Sequence, residues 1–306
     1  MSVESVQRPV GKTVESQGKF KMSDGFQLSY RLWSLGDAPE RIVLGLPGGG
    51  WYSGQFRGMG ARLPVDVPGT QLYAVDQRGF GNSVEEGFQR GDVSSTKRFL
   101  RDVDEVAESI RRDHPGKKFY LFGHSGGSNL ALWFAVRHPD SVDGLILAAP
   151  GIILKGGKPS RSMILRMVFL RLFSPGTMIY RLKYGSEEQR QSEEATSVQE
   201  DPLSAQSRYS VRFLFAAFRL IRRGLTDARQ VRAPTLILQG EADGGLAPEG
   251  ARKLLGALSS SDKTLKMFPG ADHHFYDTLP PRLHSKYDEA TKKQVYEAIA
   301  SWLRTH

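Results

Sequence analysis

The chain has 306 residues, 39% hydrophobic and 25% charged, with no cysteine and a formal net charge of +9. Its length suits one large domain or a core carrying an insertion, and without cysteine there are no disulfides, thiolate nucleophiles or Cys-based zinc sites. No apolar run approaches the ~18 residues of a spanning helix, and residues 1–14 lack the apolar core of a secretory signal, so an integral membrane protein is excluded and a cytoplasmic location is expected.

Residues 18–23 and 26–33 read as two strands joined by the hairpin signal Asp24-Gly25, which predicts an antiparallel edge. Residues 41–46, 71–75, 118–122, 142–148, 235–238 and 264–267 are short apolar or β-branched runs, the pattern of strands buried on both faces. Helical spacing intervenes at 95–113, behind the caps Ser94, Ser95 and Thr96, then at 129–137, 249–258 and 286–303. Strands alternating with helices in this way predict an α/β fold with a mostly parallel, doubly wound sheet.

The alternation stops after Ala148 and resumes near Pro234, leaving about eighty residues that fit a helical cap inserted into the sheet order. The expected division is a core of residues 1–151 and 229–306 with a cap at 152–228. Residues 155–223 hold thirteen Lys and Arg against six Asp and Glu, so much of the positive excess sits in this insertion. No recognisable nucleic-acid-binding element accompanies it, and no nucleic-acid partner is expected. Residues 185–200, rich in Glu, Gln and Ser, read as an exposed loop or solvated helix.

The chemistry centres on Gly123-His124-Ser125-Gly126-Gly127, set between the strand Phe119-Tyr120-Leu121-Phe122 and a helix starting near Asn129. In a strand–turn–helix the flanking glycines leave room for a tight turn that exposes the serine hydroxyl, and the helix N-terminus favours developing negative charge. Ser125 is therefore the candidate nucleophile. A serine needs a base and the base an orienting carboxylate. Asp243, with Glu241 as its rival, follows the strand at 235–238, and the adjacent His273 and His274 follow the last strand, in the chain order Ser, Asp, His. Chemistry alone does not separate the two histidines. The loop Pro47-Gly48-Gly49-Gly50-Trp51 offers backbone N–H groups for an oxyanion hole, whose second donor is the N–H of Gly126. A phosphate loop is excluded because no Gly-Lys-Ser/Thr follows. No cofactor and no metal are expected.

With these residues in view, the chain resembles the monoacylglycerol lipase and lysophospholipase group of α/β-hydrolases, which includes serine aminopeptidase-like members. Residues 47–56 look like that group's His-Gly-x-Gly loop and its Ser-Gly-Arg-Tyr sequel, which implies Gly49 as the first oxyanion donor. Residues 76–83 are similar to its structural Asp-x-Arg-Gly-x-Gly-x-Ser segment, and Asp201-Pro202-Leu203 also fits. Gly270-Ala271-x-His273 selects His273 over His274. Pro47 stands in place of the usual histidine and Gly126 in place of the usual methionine, while Asp76-Gln77-Arg78-Gly79 is shared with proline iminopeptidases, from which the chain differs in lacking Trp after the serine.

The resemblance implies a serine hydrolase acting on a small-molecule ester or lipid substrate. The alternatives are an aminopeptidase, for which Glu187, Glu188, Glu193, Glu194 and Glu200 would hold the free amino group, a carbon–carbon bond hydrolase, an acyltransferase, or a non-enzymatic scaffold. Residues 163–173 and 211–220 are apolar stretches studded with arginine. They read either as helices packed on the core or as a lid touching an anionic membrane peripherally. Oligomeric state is not legible.

Overall fold

The computed structural model describes residues 12–155, 160–180, 201–205, 208–275 and 289–306. Residues 185–200, with Glu187, Glu188, Glu193, Glu194 and Glu200, lie outside the described residues, as do 286–288 at the start of the expected last helix.

Eight strands form one sheet in the order β1-β2-β4-β3-β5-β6-β9-β10. They are β1 (Val14–Lys21), β2 (Gln27–Ser34), β3 (Arg41–Leu46), β4 (Thr70–Val75), β5 (Lys118–His124), β6 (Gly144–Ala148), β9 (Thr235–Gly240) and β10 (Lys263–Phe268). The pairings β1–β2 and β2–β4 are antiparallel, and every pairing from β4 through β3, β5, β6 and β9 to β10 is parallel. This is the α/β-hydrolase architecture. The first hairpin is longer than its sequence signal suggests. β1 starts four residues earlier and ends at Lys21 opposite Gln27, because Met22 is buried and its N–H donates to Phe26 C=O across a wider loop.

Period-two alternation along the central strands feeds two cores. In β5, Phe119 and Leu121 join one cluster, whereas Tyr120 and Phe122 join the other. The first cluster is completed by α2 (Thr96–Asp113), α3 (Gly126–Arg137) and α6 (Pro248–Ala257). The second is completed by α1 (Arg57–Asp66) and α7 (Glu289–Thr305). Ser95 caps α2 by accepting from the Arg98 N–H, as its position predicts. α1 was not expected from the sequence, since it is short, contains two glycines and carries Pro64 inside it.

The connection from β6 to β9 holds α4 (Arg161–Phe173), a two-stranded antiparallel ribbon of β7 (Met178–Tyr180) and β8 (Arg208–Ser210), and α5 (Val211–Ala228). α5 runs eight residues beyond its sequence estimate and buries Val211, Phe213, Leu220, Gly224, Asp227 and Ala228. The Phe213 ring packs edge-on to Phe80 at 4.9 Å and to Phe99 at 5.7 Å. α4 buries none of its residues.

Candidate active site

β3, β5, β9 and β10 end at the same edge of the parallel sheet, where α/β folds gather functional loops. β5 runs directly into Ser125, the N-cap of α3, which is held at φ 52° and ψ −118°. Such a positive φ costs a non-glycine residue on the order of 1–3 kcal/mol and persists only where the surroundings impose it. Here they do. The Ser125 N–H donates to Ala148 C=O at 2.8 Å, a Cβ at Gly127 would collide with the Leu46 carbonyl, and one at Gly123 would collide with Gly127. α3 therefore begins at Gly126, three residues before helical spacing becomes legible. The half-buried serine stands at its N-terminus.

The loop after β3 meets this turn from the side. A Cβ at Gly48 would lie 3.3 Å from Ser125 Cβ, and one at Gly126 would lie 3.6 Å from the Gly49 nitrogen. The Gly48 N–H is engaged by Gln55 Oε1 at 2.8 Å. Those of Gly49 and Gly126 have no hydrogen-bond acceptor among the described residues. Two backbone donors thus stand free beside Ser125.

Asp243 lies three residues beyond β9 and is fully buried. Its Oδ1 accepts the N–H groups of Gly245 and Leu246, both at 2.8 Å, and its Oδ2 lies 2.8 Å from His273 Nδ1. Burial alone would raise its pKa, but His273 and the two backbone donors overcome this and hold the carboxyl at about 2. The rival Glu241 is exposed, with its carboxylate 3.8 Å from Arg252. The other histidine, His274, turns its ring to Trp51 at 5.6 Å and to His124 at 5.7 Å. Among the described residues, no group of three or more His, Asp or Glu could hold a metal ion.

Residues 76–83 support this edge from below. Asp76 accepts the N–H groups of Ser53 and Asn82, Gln77 Nε2 donates to Pro47 C=O, and the buried Arg78 guanidinium bridges Asp102, Glu85 and Asp24. Tyr52 O–H donates to Asp201 at 2.7 Å, tying the glycine loop to the β6–β9 connection. Lys155 Nζ donates to Asp243 C=O. Gln55, Tyr52, His124 and Lys155 escaped the sequence reading as site residues. The first three sit inside motifs already noted, so position alone could have flagged them, whereas nothing local marks Lys155.

A family model described as "Serine aminopeptidase, S33" matches residues 37–277. The human protein "Monoglyceride lipase" is 29% identical over 87% of this chain and 86% of its own length. The crystal structure of Paleococcus ferrophilus monoacylglycerol lipase superposes with a TM-score of 0.70 at 26% identity, covering 96% of this chain and 99% of that one. A soluble variant of the Saccharomyces cerevisiae monoglyceride lipase, solved with a substrate analogue, has a TM-score of 0.74 at 23% identity over 99% and 97% of the two chains. The chain is an enzyme of the "Serine aminopeptidase, S33" family, an α/β-hydrolase of the monoacylglycerol lipase-like group.

Proposed function

We propose that this hydrolase cleaves carboxylic esters of the monoacylglycerol or lysophospholipid type through an acyl-enzyme on Ser125. His273 is the general base, Asp243 orients it, and the N–H groups of Gly49 and Gly126 stabilise the oxyanion. Residues 152–228 are the cap over a core of 1–151 and 229–306. The observation that carries the reading is the 2.8 Å contact of Asp243 Oδ2 with His273 Nδ1 at the sheet edge where Ser125 is held at positive φ. The names of the relatives support the ester class.

His273 takes the Ser125 hydroxyl proton as Oγ attacks the ester carbonyl, and the tetrahedral oxyanion is held by the two backbone donors. The C–O bond to the alcohol then breaks, and the imidazolium returns its proton to that leaving oxygen. Water, deprotonated by His273, attacks the acyl-enzyme and releases the acid and free Ser125. Asp243 stabilises the imidazolium in both halves. Its folded pKa lies below the ordinary carboxylate value of 3.8, so its contribution to stability is full above that value and is lost as pH falls towards about 2. The carboxylate is accordingly ionised at neutral pH.

The test is turnover of p-nitrophenyl esters of graded chain length alongside amino-acyl anilides. Ser125→Ala should abolish ester hydrolysis and fluorophosphonate labelling while leaving the fold intact. His273→Ala should lose several orders of magnitude in kcat and His274→Ala far less, and Asp243→Asn should cost far more than Glu241→Gln. Turnover by Ser125→Ala, or the reverse ranking within either pair, sinks the assignment. The description of the family as aminopeptidases supports a second reading, removal of an N-terminal residue, which preferential cleavage of the anilides would establish.

The same reading includes peripheral contact with an anionic membrane through α4. Ile164, Leu165, Val168, Phe169, Leu172 and Phe173 are all exposed there, beside the exposed Arg161, Arg166 and Arg171, which have no carboxylate partner among the described residues. No helix among the described residues is long and apolar enough to cross a membrane. An apolar face rimmed by arginine fits the boundary between acyl chains and anionic headgroups.

A further inference from the structure

Behind the catalytic edge runs a chain of hydrogen bonds that no step of the proposed mechanism uses. The Gly48 N–H donates to Gln55 Oε1 at 2.8 Å, Gln55 Nε2 lies 2.9 Å from His124 Nδ1, and His124 Nε2 lies 3.1 Å from the carbonyl oxygen of His273. Gln55 and His124 are both buried, so water does not compete for these bonds.

The chemistry of the ends dictates the direction of the whole chain. A backbone N–H only donates, so it selects the carbonyl oxygen of Gln55 and turns the amide nitrogen towards His124. That nitrogen also only donates, so His124 Nδ1 accepts and carries no proton. Nε2 then bears the hydrogen and donates to the His273 carbonyl, which only accepts. Reversing the amide would set donor against donor at Gly48 and, through the other tautomer, acceptor against acceptor at His273. The chain is therefore satisfied throughout or broken at both ends. Burial, reinforced by the neighbouring His273, holds His124 neutral with its pKa depressed to about 3.

Gly48 precedes Gly49 and belongs to the loop after β3, whereas His273 follows β10 at the far edge of the sheet, four strands away. We propose that Gln55 and His124 are positioning residues that hold the oxyanion loop and the His273 main chain at one fixed spacing across Ser125, through a hydrogen-bond chain of single polarity. Neither residue touches the substrate. Each acts through the groups it holds, and the inference rests on the catalytic roles proposed above.

The first measurement uses the unaltered enzyme. A spectrum of 15N-histidine-labelled protein near neutral pH should show His124 as the neutral tautomer protonated at Nε2, and the Nδ1-protonated form or an imidazolium would overturn the proposal. The second is kinetic, with a short soluble ester and kcat normalised to sites titrated by fluorophosphonate, so that unfolded protein is not counted. Gln55→Leu and His124→Phe should each lower kcat about 10- to 100-fold with KM nearly unchanged, the size of effect that a small misplacement of reacting groups produces. Binding of a trifluoromethyl ketone that mimics the tetrahedral adduct should weaken in parallel, and the double variant should be no slower than the slower single one, because either change breaks the chain. Normal kcat per titrated site in Gln55→Leu or His124→Phe, or additive losses in the double variant, would refute the coupling. If Ser125→Ala is inactive while these variants are normal, only the positioning role fails. If Ser125→Ala still turns over ester, the proposed function fails with it.

Discussion

α4 and α5 lie in the same connection between β6 and β9, both begin at a serine cap, and both mix large apolar residues with arginine. Only α5 buries any of its side chains. In α5 the inward residues Phe213, Ala217, Leu220, Gly224 and Ala228 recur at three- and four-residue intervals, so they share one face, which meets α3 while Arg219, Arg222 and Arg223 remain exposed. Two of its basic residues are tied down as well, Arg212 by a two-pronged pair with Asp92 and Arg223 by Asp227. In α4 the run Met163-Ile164-Leu165 is followed by Met167 to Leu170 and then Leu172-Phe173, so apolar side chains point in every direction. No single face can bury them. Apolar content is thus no guide to burial, and the period of the pattern decides which surface the fold can cover.

The comparison can be broken most decisively at the two sets of phenylalanines. Phe213→Ala should destabilise the enzyme by about 3–5 kcal/mol, because it empties a cavity among Phe80, Phe99 and Tyr209, whereas Phe173→Ala should shift stability by less than about 0.5 kcal/mol. Urea unfolding of the two variants measures both, and equal losses would mean that α4 is packed after all.

A smaller separation is expected between arginines. Arg212→Gln leaves the buried Asp92 carboxylate without its partner and should cost about 1–2 kcal/mol, a figure reduced from that of a fully buried pair because Arg212 is partly solvated. Arg166→Gln should cost less than about 0.5 kcal/mol in the same titration. A loss at Arg166 matching that at Arg212 would make the α4 arginines structural.

The smallest effect per residue concerns docking. Charge reversal at Arg166 and Arg171 should weaken sedimentation with anionic vesicles at low salt by at least about fivefold per residue, since loss of each basic group alone removes ~1 kcal/mol and the new acidic group is repelled. Stability and turnover of a short soluble ester should not change. Added salt should mimic the reversal in the parent enzyme. Vesicle binding that ignores both salt and charge reversal would assign α4 a purely apolar role, and no binding at all would remove membrane contact from the proposal.

Much of the architecture was legible in the sequence because it is set by neighbours along the chain. Apolar runs of strand length, helical spacing after Ser95 and the strand–turn–helix around Ser125 are local patterns, and they placed the α/β sheet, α2 and the serine turn to within a few residues. The glycine loop and the residues following β9 and β10 could likewise be named as site candidates, since the carboxyl ends of parallel strands gather at one edge. Local pattern left open whether Asp243 or Glu241 would meet a histidine, and it separated His273 from His274 only through a family resemblance. In the fold, a contact thirty residues apart in sequence pairs Asp243 with His273, with Asp243 enclosed by Gly245, Leu246 and Gln239 while Glu241 faces solvent. The polarity of the Gln55–His124 chain was equally out of reach. Three strand ends must converge before an amide, an imidazole and two backbone groups can choose their donors and acceptors, and a hydrogen bond between residues 149 positions apart leaves no periodic trace in the chain.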